Sequence, residues 1–153
     1  MFLASCATVI PPSGGEKDIT PPQILQISPS NKMTNFNVKE ITIFFDEYIA
    51  LKNEKDIFSY PIIEPFPEIK TKGKSIIIKL DGELKLNTTY IINFNNSIVD
   101  INESNILEGF KYVFSTGLII DTCIVTGGVF NLTSNQIVPE AIVGLYKNQT
   151  INH

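Results

Sequence analysis

Short runs in which apolar and polar residues alternate, separated by turn-forming residues, are the feature that most limits what this chain can fold into. In the run 39–45, Ile41, Ile43 and Phe45 fall on one face of an extended strand, because successive side chains in a strand point to opposite faces. No window keeps the 3.6-residue period of an amphipathic helix, apart from one turn predicted near 81–86. The predicted strands are 23–28, 39–45 with a continuation over 46–53, 57–60, 68–71, 75–80, 88–95 and 110–115.

About seven short strands in close succession predict an all-β fold, with an Ig-like β-sandwich as the leading arrangement. Gly73, between two of these runs, supplies the positive φ that a tight hairpin needs. Tyr48 and Leu51 are predicted to point inward from the continuation, and 31–37 and 100–109 are predicted to be polar loops. Since the chain has 153 residues and is 43% hydrophobic, it can bury the core of one domain of roughly 100 residues and leave a remainder.

The composition excludes most catalytic and nucleic-acid-binding classes. The net charge is −4, arginine is absent and the 12 lysines are scattered, so the basic patch of a nucleic-acid-binding protein is missing. His153 is the only histidine, which removes histidine-dependent triads and most acid–base chemistry. The adjacent carboxylates Asp46 and Glu47 point to opposite faces of a strand and do not form an acid–base pair. We therefore expect no enzyme activity, no nucleic-acid partner and no cofactor.

The N-terminal residues Leu3-Ala4-Ser5-Cys6 fit a bacterial lipobox, in which two small residues precede the cysteine that receives a diacylglycerol. A signal peptide also has a basic region and about 7–15 apolar residues before its cleavage site. Only five residues precede Cys6, and none of them is charged. We expect residues 1–6 to be the remnant of a lipoprotein signal peptide, left by a start codon placed too late or by a fragment.

Residues 7–19 are rich in proline and glycine and are predicted to be a flexible linker between a lipid anchor and the domain. Later segments lack the run of about 18 or more apolar residues that a membrane-spanning helix needs. If Cys6 carries the lipid, we expect Cys123 to be a buried thiol without a partner. A Cys6–Cys123 disulfide is the disfavoured alternative, because the linker would have to return across a whole domain.

One loop contains candidate calcium ligands. Asp100, Asn102 and Asn105 bring side-chain oxygens into a short segment, as calcium-binding loops do. The segment lacks the glycine and the distal glutamate of an EF-hand loop, and Asp and Asn also form turns without any metal. The favoured interpretation is therefore a turn, with calcium as the alternative ligand.

Three aromatic residues near predicted loops are candidates for glycan binding, since flat apolar rings stack on sugars. They are Tyr48, Tyr60 and Phe66. The favoured interpretation is that they fill the core of a domain that has no tryptophan.

Four segments resemble, in their order and spacing, the bacterial Ig-like domain of the S-layer (SbsA) type. The segments are "TPPQILQISPSNKMTNF", "ITIFFDEYI", "LKLNTTYIINFNNSIVDINESN" and "FKYVFSTG". The resemblance implies an Ig-like β-sandwich over residues 20–117. One departure is Ser104, where the family often has glycine before asparagine.

The lipobox, the linker and this domain together resemble the N-terminus of a Bacteroidetes-type envelope lipoprotein. In such proteins a second small β-sandwich usually follows, and residues 121–153 resemble the first strands of a carboxypeptidase regulatory-like module. Because two or three strands with open edges are not stable by themselves, we expect this incomplete module to be docked on the first domain or poorly ordered.

The expected function is that of a non-enzymatic, monomeric Ig-like module in a lipid-anchored envelope protein, where it serves as a spacer, scaffold or interaction domain. Its partners would be the membrane, through Cys6, and envelope proteins or glycans. Ala7 after Cys6, in place of an aspartate, favours the outer membrane, on its periplasmic or surface face. The alternatives are a glycan- or calcium-binding β-sandwich and the accessory domain of a larger envelope enzyme.

Overall fold

The computed structural model describes Gly15, residues 17–122 and 127–139, Ala141 and Val143. The chain divides into two compact units, one ending at Asp121 and the other starting at Thr122. Cys6, Cys123 and most of the linker 7–19 lie outside the described residues, so the expectations placed on them stay predictions.

The first unit is built from strands, which confirms the predicted all-β fold. Its one helix in the described residues is a single 3-10 turn at Glu54–Asp56, and the helical turn predicted near 81–86 is wrong. The strands are β1 (Ile24–Ser28), β2 (Glu40–Phe45), β3 (Ile49–Leu51), β4 (Phe58–Tyr60), β5 (Glu68–Lys72), β6 (Ser75–Lys79), β7 (Thr89–Asn95), β8 (Ile98–Asp100), β9 (Ile106–Leu107) and β10 (Phe110–Ser115).

These strands form three antiparallel sheets, in the orders β1-β2-β6-β5, β10-β7-β4 and β3-β8-β9. β5 and β6 form the predicted hairpin, and Gly73 has the expected positive φ, 61°. The segment 100–109 was predicted to be a loop, and this prediction is only partly right. The segment contains β9 and the last residue of β8. A two-residue strand is too short to produce an alternating pattern in the sequence.

The core lies along the inward faces of β2, β6, β7 and β10. The predicted alternation of Ile41, Ile43 and Phe45 is confirmed, since all three are buried. Each large side chain that is buried in this way contributes roughly 1.5–3 kcal/mol to folding. The other large buried side chains of these strands are Ile76, Ile78, Tyr90, Ile92, Phe94, Tyr112 and Phe114.

The prediction that Tyr48 points inward is wrong. The Tyr48 side chain is 58% exposed, and the adjacent Ile49 is buried in its place. β2 ends at Phe45, and the bend that follows at Asp46 and Glu47 resets the alternation before β3 begins. Leu51, the other residue predicted to point inward, is partly buried against the core.

The described part of the second unit contains one short antiparallel bridge, between Phe130 and Ile137. The amide N–H of Asn131 donates to the carbonyl of Gln136 at 2.9 Å, which closes the turn between them. Much of the strand pattern predicted around this turn lies outside the described residues, and the incomplete β module stays a prediction.

Candidate binding surface

Asp100, the central residue of the predicted calcium loop, stabilises the β8–β9 connection. Its side chain is only 1% exposed. One carboxylate oxygen, Oδ1, accepts hydrogen bonds from the backbone N–H groups of Glu103 (2.6 Å) and Ser104 (3.0 Å). The other, Oδ2, accepts from the N–H of Asn105 at 2.7 Å. The carboxylate therefore satisfies three backbone donors of a tight loop, which is sufficient to explain why an aspartate stands here.

These hydrogen bonds also determine the acidity of Asp100. Burial alone would raise the pKa of this carboxyl. The N–H groups of Glu103, Asn105 and Ser104 favour the charged form more strongly, so the pKa lies below its ordinary value. Asp100 is consequently a fixed negative charge at neutral pH.

Asn102 and Asn105, the other two predicted calcium ligands, have different surroundings. Asn102 is exposed, whereas the side-chain amide of Asn105 donates to the carbonyls of Asp18 (3.1 Å) and Thr20 (3.2 Å) and so ties the start of the described domain to this loop. Ser104 has a φ of 67°, in the left-handed region, which explains why glycine suits this position. The described residues contain no group of three or more His, Cys, Asp or Glu placed to hold a metal ion. The favoured interpretation as a turn fits these contacts, and calcium stays the untested alternative.

An acidic corner forms where the start of the domain meets the bend after β2. Burial raises the pKa of Glu47, and repulsion from Asp100, Asp46 and Asp18 raises it further. Asp46 is exposed, and its Oδ1 accepts a hydrogen bond from the N–H of Gln23 at 2.8 Å. The two adjacent carboxylates thus have separate surroundings, one solvated and capping a backbone group and the other partly buried.

The three aromatic residues predicted to fill the core are exposed, so that interpretation is wrong. The exposed fractions of Tyr48, Tyr60 and Phe66 are 58%, 64% and 47%. Phe58, which was not singled out from the sequence, is also half exposed. We conclude that the core is closed without them, by the isoleucines and by the aromatic residues of β7 and β10.

Phe58 and Tyr60 are exposed because β4 turns its small residue inward. Ser59 lies between them, is 6% exposed, and its Oγ accepts a hydrogen bond from the N–H of Ile63 at 3.0 Å. Since alternate residues of a strand share a face, burying Ser59 places both aromatic rings on the outer face. Ile57, immediately before the strand, is buried and lies two positions from Ser59, on the same face. This isoleucine was the feature of the sequence that could have shown which face of β4 points inward.

A cleft of about 510 Å³ opens beside Phe58. The side-chain amide of Asn95 donates to the carbonyl of Asp56 at 2.7 Å and holds one wall of the cleft. An apolar ring among amide and charged groups is a surface that can stack on a polar ring and form hydrogen bonds with its substituents. The lining residues are Asn53, Lys55, Asp56, Phe58, Asn95 and Asn96.

A second cleft, of about 480 Å³, lies at the other aromatic residue of β4. It is lined by Tyr60, Ile62 and Lys85, among others. The backbone N–H of Lys85 donates a hydrogen bond to the hydroxyl oxygen of Tyr90 at 2.8 Å. β4 is the last strand of its sheet among the described residues, so both clefts lie at a sheet edge.

No helix among the described residues is long and apolar enough to cross a membrane.

No curated protein is significantly similar to the chain. The family model for the bacterial Ig-like domain matches residues 18–116, which is well over half of the 153 residues and spans every strand from β1 to β10. The chain therefore belongs to the bacterial Ig-like domain family.

Proposed function

We propose that this chain is a non-enzymatic Ig-like module of a lipid-anchored envelope protein, which holds its domain away from the membrane as a spacer or interaction platform. The observation that carries the proposal is the order of its parts. A lipobox ending at Cys6 is followed by a Pro/Gly-rich linker, and the Ig-like domain begins at residue 18. In this order, an acylated cysteine can anchor the chain in the membrane and a flexible linker can hold the folded domain away from it.

The roles of the buried polar side chains in the described residues support a non-enzymatic function. In the described part of the chain, the buried polar or charged side chains are Ser59, Asn93, Ser97, Asp100 and Ser115. The carboxylate of Asp100 accepts hydrogen bonds from backbone N–H groups of its own loop, and the hydroxyl of Ser59 accepts one from the N–H of Ile63. Both side chains are thus accounted for by the backbone groups that they bind, which is what a structural module requires.

Membrane fractionation tests the anchor. The protein is expressed in a related bacterium from its full upstream coding region, as wild type, Cys6→Ala and the matched control Cys123→Ala. We expect wild type and Cys123→Ala in the membrane fraction, with a labelled fatty acid incorporated, and Cys6→Ala unlabelled and released or unprocessed. Equal partition of all three proteins into the soluble fraction, without label, would refute the lipid anchor.

A second candidate function is glycan binding at the edge strand β4, and the exposure of Phe58 and Tyr60 favours it. Each ring borders a cleft with hydrogen-bonding side chains, Asn95 and Asn96 in the first and Lys85 in the second. The test is calorimetric titration of the full chain with a panel of neutral oligosaccharides. Saturable binding that is lost in Phe58→Ala but kept in Tyr48→Ala, an exposed aromatic that lines neither cleft, would support this function. A panel without saturable heats, or equal losses in both variants, would exclude it for these sugars.

A further inference from the structure

Residues 29–36, here named the clamp segment, run alongside β10 in the same direction. Met33 and Phe114 form a parallel bridge, on the edge of β10 that is not paired with β7. The contacts of Lys32 with Val113, Met33 with Ser115 and Asn35 with Gly117 follow the same order along both segments, and Phe36 then turns back to Ser115. The backbone hydrogen bonds are Lys32 N–H to Val113 O (2.7 Å), Ser115 N–H to Met33 O (2.9 Å), Phe36 N–H to Ser115 O (2.9 Å) and Asn35 N–H to Gly117 O (2.8 Å).

The side chain of Asn31 extends this pairing by one step. Its Oδ1 accepts a hydrogen bond from the N–H of Val113 at 2.8 Å, and its Nδ2 donates to the carbonyl of Lys111 at 3.1 Å. The amide therefore takes the place of a peptide group in the ladder, because it offers one acceptor and one donor in the same plane.

Tyr112 fastens the start of the clamp segment from inside the core. Its hydroxyl donates to the carbonyl of Pro29 at 3.1 Å. The ring is fully buried, and burial raises the pKa of Tyr112 to about 12. The hydroxyl therefore keeps the proton that it donates over the whole physiological pH range.

This pairing lies on the path that a stretching force would take through the domain. The chain enters through β1, continues into the clamp segment, and leaves from β10 towards the unit that starts at Thr122. Tension on the two ends pulls the clamp segment towards its N-terminus and β10 towards its C-terminus. Because the two run parallel, these pulls are opposed and lie along the strands, across the hydrogen bonds that join them.

We propose that the clamp segment and β10 form a mechanical clamp, which makes this module resist tension along the chain. Hydrogen bonds sheared in this way share the force and must break together, whereas bonds pulled open from one end break one at a time. β1 adds a second ladder in series, since it is paired with β2 from Gln26 to Ser28 and again at Ile24. This inference does not rest on the lipid anchor or on glycan binding, and it gives the module a function that a spacer under load would require.

Single-molecule force spectroscopy on the full chain, held by its two ends, tests the proposal. Forced unfolding reports the rate of crossing the unfolding barrier, so it is sensitive to where a bond lies and not only to its contribution to stability. We expect one high-force event that releases the chain between Met33 and Phe114, at roughly 3.3–3.6 Å per residue.

The decisive comparison is between Tyr112→Phe and Tyr90→Phe. Both tyrosines are buried and each hydroxyl makes a hydrogen bond, but that of Tyr90 accepts from the N–H of Lys85 and does not join the clamp segment to β10. We expect similar decreases in Tm, with the unfolding force at a fixed loading rate lowered only in Tyr112→Phe. The double variant Asn31→Ala/Tyr112→Phe, which keeps the four backbone hydrogen bonds, should lower the unfolding force further than Tyr112→Phe alone while circular dichroism still shows the folded domain. Unfolding forces that simply follow Tm in all variants, or a wild type without a high-force event, would overturn the clamp.

Discussion

The ring of Phe36 lies against that of Phe114, with 4.1 Å between their centroids and 34° between their planes. Phe36 is the last residue of the clamp segment, and Phe114 is the next-to-last residue of β10, so the contact joins the first part of the domain to its last strand inside the core. Tyr90 stacks on Phe114 as well, at 5.4 Å. The core and the terminal pairing are thus stabilised by the same side chains.

We predict that Phe36→Ala destabilises the domain by about 3–5 kcal/mol, because it removes a buried ring and leaves a cavity beside Phe114. Urea unfolding followed by tyrosine fluorescence measures the loss. Phe44→Ala is the matched control, since Phe44 is on the outer face of β2 and is 40% exposed. A loss as large in the control as in Phe36→Ala would contradict the assignment of Phe36 to the core.

We predict that Asp100→Asn lowers Tm at pH 7, because an amide group cannot accept hydrogen bonds on both of its heavy atoms and one of the three N–H donors would lose its partner. The pKa of Asp100 is lowered in the folded state, so its charged form stabilises the fold above the unfolded value of about 3.9, and this stabilisation is lost as the pH falls through the folded pKa. Thermal unfolding at a series of pH values should show the difference between wild type and variant shrinking in acid. Asp81→Asn, at an exposed position, should follow wild type throughout.

We predict the opposite sign for Glu47→Gln. Burial and the neighbouring carboxylates raise the pKa of Glu47 in the folded state, so its ionisation is unfavourable to folding. The variant should raise Tm near pH 7, and the gain should vanish below the unfolded pKa of about 4.3, where the wild-type side chain is already protonated. A Tm that is lower than that of wild type at pH 7 would show that the charge is favourable where it stands.

We predict that millimolar calcium leaves the Tm of the full chain unchanged. Both oxygens of Asp100 already accept backbone N–H groups, and the amide nitrogen of Asn105 is directed at Asp18 and Thr20. Calorimetric titration with calcium chloride provides the check. A saturable heat that disappears in Asn102→Ala, which leaves the hydrogen bonds of Asp100 in place, would instead establish the loop as a calcium site.

The sequence predicted the strands that are long enough to alternate. β2 and β7 could be assigned, with their inward residues, because Ile41, Ile43 and the aromatic residues of β7 repeat at every second position. Tyr48 was predicted to point inward because the alternation of β2 was continued past its end. The bend after β2 changes which residues point inward, and a bend of two residues has no strong signal in the sequence. β9 was missed because a strand of two residues has no period.

The cleft beside Phe58 could not be found from the sequence, because its walls are distant along the chain. Asn53 and Asp56 precede β4, whereas Asn95 and Asn96 lie at the end of β7. Only the register of β4 on β7, in which Phe58 is opposite Asn93, brings these groups together. Pairing register depends on long-range contacts, which a periodic pattern does not contain.

The strands at the edges of the sheets β1-β2-β6-β5 and β10-β7-β4 also affect whether neighbouring copies can join. β4 has only three residues and is followed directly by Pro61, which has no N–H to offer. β5 carries Lys70 and Lys72, and the register of β1 on β2 is interrupted between Ile24 and Gln26. Short length, proline, lysine and an irregular register each hinder edge-to-edge joining of sheets. The same features that complete the domain therefore oppose its growth into continuous β-sheet assemblies.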